Sequence, residues 1–151
     1  MTTFYDFLSL NPENPGDVSR QEKWFRDTEI FKDKEFCNKY MGKFPVVFLT
    51  FKSIAHQKFD DAYNQMAFVI SSLAADFKYI KSSVNFTEEE MQSYLNLLDY
   101  DLLKDKTDKT CITNSLRTLI YLLYRHHGKR PILLIDELKL SQILGLYATA
   151  L

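Results

Sequence analysis

An α/β domain with a parallel sheet is the fold class this sequence predicts, on three observations. Pro45-Val46-Val47-Phe48-Leu49-Thr50-Phe51 is a continuous run of β-branched and aromatic residues, as in a strand covered on both faces. Pro131-Ile132-Leu133-Leu134-Ile135 is a second such run, aliphatic throughout. Between them lie segments with apolar residues at three- and four-residue spacing, far longer than the roughly a dozen residues a parallel crossover needs. Strand, helices, strand is the order of a parallel pair joined by helical crossovers.

The elements follow in order. Phe4, Phe7 and Leu8 recur at helical spacing from Thr2 to Leu10, and Asn11-Pro12-Glu13-Asn14-Pro15-Gly16 breaks the pattern. A second helix over 19–31 carries Trp24, Phe25 and Ile30, and a third over 33–41 ends at Gly42, a C-terminal cap. The first strand follows. The longest helix spans 59–80, where Ala62, Met66, Val69, Ile70, Leu73, Phe77 and Ile80 form a stripe that should face the sheet. Thr87-Glu88-Glu89-Glu90 is a capping box, in which hydroxyl and carboxylate each satisfy a backbone amide, and Met91, Tyr94, Leu95 and Leu98 continue an apolar face. Residues 101–109 are charged and turn-like. Ile112, Leu116, Leu119, Ile120 and Leu123 then mark a helix ending near Gly128, before Pro131 opens the second strand.

Composition sets few functional limits. The 151 residues, 46% hydrophobic and 26% charged, suit one domain with a core, and a formal charge of −1 gives no electrostatic reason to expect nucleic acid or a membrane surface. The opening Met1-Thr2-Thr3-Phe4-Tyr5-Asp6-Phe7 has no basic n-region or long apolar h-region, and no stretch approaches the ~18 apolar residues of a membrane span. Cys37 and Cys111 are solitary, so buried free thiols in a reducing, cytoplasmic setting are expected.

The chemistry-bearing feature is Asp136-Glu137, two carboxylates where the second aliphatic run ends. Open α/β sheets bind ligands at the carboxyl ends of their strands. Hydrolysis of a nucleoside triphosphate needs one carboxylate in the Mg²⁺ shell and a second polar group to orient the attacking water. Asp136 is placed to be the metal-shell and nucleotide-binding residue and Glu137 the catalytic, water-orienting base. The bland alternative makes them solvated loop residues or ion-pair partners of Lys129 and Arg130. Arg125-His126-His127-Gly128-Lys129-Arg130 is the main basic cluster, and its place at a helix C-terminus suits the helix dipole. Its adjacent histidines lack the i, i+4 spacing of a helical zinc pair. Lys52 after the first strand is read as solvated, and no serine occupies a nucleophile elbow.

Gly42-Lys43-Phe44-Pro45-Val46-Val47-Phe48-Leu49-Thr50-Phe51-Lys52, followed at similar spacing by Gly128-Lys129-Arg130-Pro131 and Ile135-Asp136-Glu137, resembles the AAA-ATPase-like domain of bacterial proteins that also carry a C-terminal PD-(D/E)XK nuclease-type domain. The resemblance covers roughly 4–137 and implies a P-loop NTPase-like fold, ATP as ligand and Mg²⁺ at Asp136, the Walker B position. Two departures shape the expectation. Gly16, Gly42, Gly128 and Gly145 build no G-x-x-x-x-G-K-[ST] loop, so the amides and lysine that hold phosphates are missing from this sequence. After Glu137 the chain reads Leu138-Lys139-Leu140 where the family has Tyr-Asp and a nearby proline. The expected organisation is a partial AAA-ATPase-like domain over 1–137 and a divergent tail over 138–151, a fragment unable to hydrolyse ATP alone. The alternative is a non-catalytic protein-interaction module derived from that domain, using the sheet edge or the tail to join a partner or a second copy. A nuclease accessory rests only on the resembled family's domain company. In the tail, Leu140, Ile143, Leu144, Tyr147 and Leu151 have helical spacing, suited to a docked helix or a pairing surface.

Overall fold

Two strands, β1 (Val46–Thr50) and β2 (Ile132–Asp136), pair in parallel, with Val46 opposite Ile132 and Thr50 opposite Asp136. The computed structural model of the chain describes residues 2–50, 58–105 and 110–136. A parallel pair cannot be joined by a tight turn, and the connection here is helical: α5 (Phe59–Asp76), a 3₁₀ turn (Lys78–Ser82), α6 (Glu88–Leu98), α7 (Tyr100–Leu103) and α8 (Thr110–His127). The mixed α/β class and the parallel crossover are therefore as the sequence predicts, with helix dominating.

The main core lies between the crossover helices and one face of the sheet. Val47 and Leu49, alternate residues of β1, join Ala67, Ile70, Leu73 and Ala74 of α5, Tyr94 and Leu97 of α6, Leu103 of α7, and Leu119, Leu122 and Leu123 of α8. The α5 stripe does pack toward the sheet. Of the stripe, Ala62, Ile70 and Leu73 are buried and Met66 and Val69 half-buried, while Tyr63, Ala67 and Ala74, outside it, are buried as well. Tyr94 is fully buried and its hydroxyl donates to the Ala74 carbonyl at 2.8 Å, which ties α6 to α5.

The N-terminal segments form a smaller layer around Phe7, Phe25, Cys37 and Met41, with Phe7 and Phe25 edge to face at 5.2 Å. It comprises α1 (Thr2–Leu8), α2 (Ser19–Phe25), α3 (Glu29–Lys32) and α4 (Lys34–Tyr40). The expected helix over 19–31 is broken: Thr28 Oγ1 donates to the Phe25 carbonyl at 2.6 Å, competing with the helical ladder, and α3 starts afresh. Asp33 caps α4 by accepting from the Phe36 amide at 2.9 Å. Gly42 then turns the chain at φ +64°, and its amide donates to the Phe7 carbonyl at 2.8 Å.

Beyond α1 the chain runs briefly beside β1. The Phe44 amide donates to the Leu8 carbonyl at 3.1 Å and the Leu10 amide to the Phe44 carbonyl at 2.9 Å, a single parallel bridge centred on Ser9 and Phe44. Pro12 follows and has no amide to continue the ladder. Two further expectations are corrected. The α-helix from Phe59 ends at Asp76 and tightens into the 3₁₀ turn instead of running to Ile80, and part of the charged stretch after Leu98 is helical, because Asp99 caps α7 by accepting from the Leu102 amide at 3.0 Å. No described helix is long and apolar enough to cross a membrane.

Candidate functional site

Asp136 ends β2 at the carboxyl edge of the sheet, in register with Thr50 of β1. It is half-buried, and among the described residues its carboxylate takes part in no ion pair or hydrogen bond. The competing assignment of Lys129 as its partner fails: Lys129 Nζ donates to the Lys43 carbonyl at 3.3 Å, at the opposite end of the strands. Glu137, Lys52 and the 138–151 tail lie outside the described residues.

No group of three or more His, Cys, Asp or Glu side chains among the described residues is arranged to hold a metal. A lone carboxylate does not make a protein-only cage for zinc or calcium. It does suit Mg²⁺, which keeps several waters and takes one or two carboxylates together with substrate phosphates.

The basic cluster has a structural use for its arginine. Arg125 Nε donates to Glu90 Oε1 at 2.8 Å and its Nη2 to the Asn85 carbonyl at 2.9 Å. The capping box forms as the sequence predicts: Glu90 Oε2 accepts from the Thr87 amide at 2.9 Å, and Thr87 Oγ1 accepts from the Glu90 amide at 3.2 Å. Tyr121 Oη donates to Glu90 Oε1 at 2.9 Å, so one carboxylate joins the start of α6 to the end of α8. Hydrogen bonds from Arg125 first, and from Thr87 and Tyr121, hold the Glu90 carboxyl down to about 2. The long-range part of this arrangement, Arg125 and Tyr121 reaching Glu90, is not visible in a local sequence pattern.

The two histidines sit against aromatic rings. Tyr79 Oη and His127 Nε2 are 2.9 Å apart, and the His126 ring lies 5.5 Å from Tyr79 and 4.6 Å from His127. Burial, with help from the neighbouring His126 and Lys129 charges, pushes His127 down to about 4, and burial also lowers His126. Both are neutral near pH 7, so neither adds to a cationic phosphate site there. His126 Nδ1 is buried with no hydrogen-bond partner among the described residues. Cys37 is a buried free thiol, as expected, with Sγ donating to the Ile30 carbonyl at 3.3 Å.

A cavity of ≈ 300 Å³ lies at the other end of the sheet, between α1, β1 and the last turn of α5. Tyr5, Phe48, Phe77, Tyr79 and Asp76 line it, and sequence reading singled out none of them as a site because they come from three separate segments. Comparison of the chain with family models, curated proteins and solved structures gives no match.

Proposed function

We propose that the chain supplies the Walker B side of a P-loop, AAA-like ATPase site, with Asp136 in the Mg²⁺ shell and Glu137 orienting the attacking water. The observation that carries this reading is the Asp136 carboxylate, without a partner among the described residues, at the carboxyl end of a parallel, helix-connected strand pair and level with Thr50. Ligands of open α/β sheets bind at that edge. Bound Mg²⁺ would neutralise charge developing on the transferred phosphoryl oxygens. Asp136 would hold the ion's water shell in place, and Glu137 would accept a proton from water lined up for attack.

This sequence contains no phosphate loop, so the reading requires that the chain alone bind nucleotide weakly and not turn it over. Titration of the chain with Mg-ATP checks the first part: micromolar, saturable binding would contradict it. The second part is checked by joining the chain to a phosphate-loop segment of the resembled family. Mg²⁺-dependent hydrolysis lost in Asp136→Asn and Glu137→Gln supports the assignment, and hydrolysis indifferent to both refutes it.

A second reading, a non-catalytic interaction module, is favoured by one observation. On β1 the edge opposite β2 is paired only at Phe44, and the amides and carbonyls of Val46 and Phe48, which alternate to that side, have no backbone partner among the described residues. Such an edge can accept an extended segment. Proline at position 48 should abolish capture of a strand-forming partner while leaving the β2 ladder intact; undiminished capture would remove this reading.

A further inference from the structure

We propose that the cavity at the amino end of the sheet binds an alkylammonium group, held against the rings of Tyr5, Phe48, Phe77 and Tyr79 and neutralised by Asp76. The four aromatic residues come from α1, β1 and the turn after α5. They pair across the cavity wall, Tyr5 with Phe48 at 6.2 Å and 59°, Phe77 with Tyr79 at 6.2 Å and 65°. Several rings around one small volume is the arrangement that attracts an organic cation through the ring quadrupoles.

Two further features carry the same sign. Asp76 stands at the mouth without an ion pair or hydrogen bond among the described residues; Lys78 attracts it only at a distance, and partial desolvation raises its carboxyl. Ser9, 8% exposed, lines the cavity with a hydroxyl that has no partner among the described residues, and its oxygen lone pairs favour a cation.

Other ligands fit less well. An anion near the open amides of Val46 and Phe48 on the β1 edge would still face the Asp76 carboxylate. A hard metal ion would find one carboxylate and a hydroxyl where it needs six or more oxygens, or an ordered water shell that aromatic walls do not support. A purely apolar ligand would leave Ser9 Oγ and Asp76 unsatisfied. The volume of ≈ 300 Å³ is at the small end for ligand sites and suits a short amine or one side chain. The cavity is separate from Asp136: α5 carries the chain from the carboxyl edge of the sheet back to the amino edge.

The full chain, observed by NMR, would be titrated with choline and with its neutral isostere 3,3-dimethylbutan-1-ol. The expected result is saturable binding of choline, about tenfold or more tighter than the alcohol. Asp76→Asn, at an exposed position, should weaken choline about tenfold and leave the thermal midpoint unchanged, and Phe48→Leu should weaken it independently of Asp76. A peptide carrying trimethyllysine identifies the source: a gain over choline assigns the group to a protein side chain, and equal affinity assigns it to a free amine. Equal binding of choline and the alcohol, an Asp76→Asn variant that binds as the parent does, or no saturable shift with choline or the peptide would each overturn the proposal.

Discussion

Replacing Asp136 by valine should stabilise the fold, and the size of the effect follows from its surroundings. The carboxylate is half-buried at the end of a parallel strand and takes no described hydrogen bond or ion pair, so its removal breaks no stabilising contact. Aspartate is disfavoured in strands and valine favoured, on a scale that spans about 1 kcal/mol. Half-burying a valine side chain adds roughly 1 kcal/mol of apolar transfer, reduced because the unfolded chain already buries part of it. The expected gain is therefore about 1 kcal/mol, with Asp136→Asn near zero. With a urea slope of roughly 1–3 kcal/mol/M for a chain of this size, the midpoint for Asp136→Val should rise by about 0.5 M. Urea unfolding followed by circular dichroism measures it. A loss exceeding about 1 kcal/mol in both variants would show that the carboxylate is part of the fold's own support, and the reading of Asp136 as a group kept for chemistry would lose its basis.

Other perturbations have equally definite outcomes. Tyr94→Phe removes the 2.8 Å bond to Ala74 but keeps the ring, and the Ala74 carbonyl still accepts from the Phe77 amide at 3.1 Å, so chemical denaturation should show a loss of about 1 kcal/mol. Tyr94→Ala empties a fully buried site and should cost about 3–5 kcal/mol by the same measurement. Gly42→Ala combines φ +64° with a Cβ only 2.7 Å from Val18 Cγ1, whereas Gly128→Ala meets the same φ in open space; thermal melts should show Gly42→Ala as the more damaging, by about 1 kcal/mol or more. Stability should fall on acidification in two windows. His127 binds its proton more weakly folded than unfolded, so its contribution is full above about pH 6.5 and is lost as pH falls toward about 4. The linkage value of that shift is ~3 kcal/mol, and screening of the half-buried ring reduces it to roughly half. Glu90, also depressed, adds a loss from about pH 4.5 down to about 2, and Arg125→Gln should abolish most of that second window in a pH series of melts.

The parts of the fold that were legible in the sequence are those set by short-range rules. Continuous apolar runs at 46–49 and 132–135 marked the strands, and the number of residues between them left parallel pairing as the economical connection. Thr87 and Glu90 announced a capping box from their spacing alone. The break between Phe25 and Glu29 was not legible, since Trp24, Phe25 and Ile30 keep helical spacing across it and the interruption depends on where Thr28 sends its hydroxyl. The end of α5 is hidden for a similar reason: Phe77, at the junction, and Ile80, in the 3₁₀ turn, are both buried, so the apolar pattern continues while the helical period changes. Asp136 is legible as a strand-end carboxylate, but where Lys129 reaches is not, since its ammonium donates to the Lys43 carbonyl at the other end of the strands. The aromatic cavity brings together residues from positions 5, 48 and 76–79, and no local pattern encodes that convergence.

Asp136 and Asp76 stand at opposite ends of the sheet, each without a partner among the described residues. Other carboxylates have structural uses: Asp33 and Asp99 cap helices, and Glu90 accepts from the Thr87 amide at the start of α6 and from Tyr121 and Arg125 of α8. Asp136 is half-buried, and a carboxylate partly withdrawn from water without a partner costs stability; Asp76 is exposed, and its carboxylate faces an aromatic cavity. If each residue serves its own ligand, the two should act independently. Val46 and Thr50 are four residues apart on β1, about 13 Å at the rise of an extended strand, beyond the range at which substitutions usually couple. The double variant Asp76→Asn, Asp136→Asn should therefore match the sum of the single variants in urea midpoint to within about 0.3–0.5 kcal/mol. Its choline affinity should equal that of Asp76→Asn alone. A double variant that departs from additivity by more than about 1 kcal/mol, or a choline site that weakens further when Asp136 is changed, would mean that the two ends of the sheet belong to one connected site.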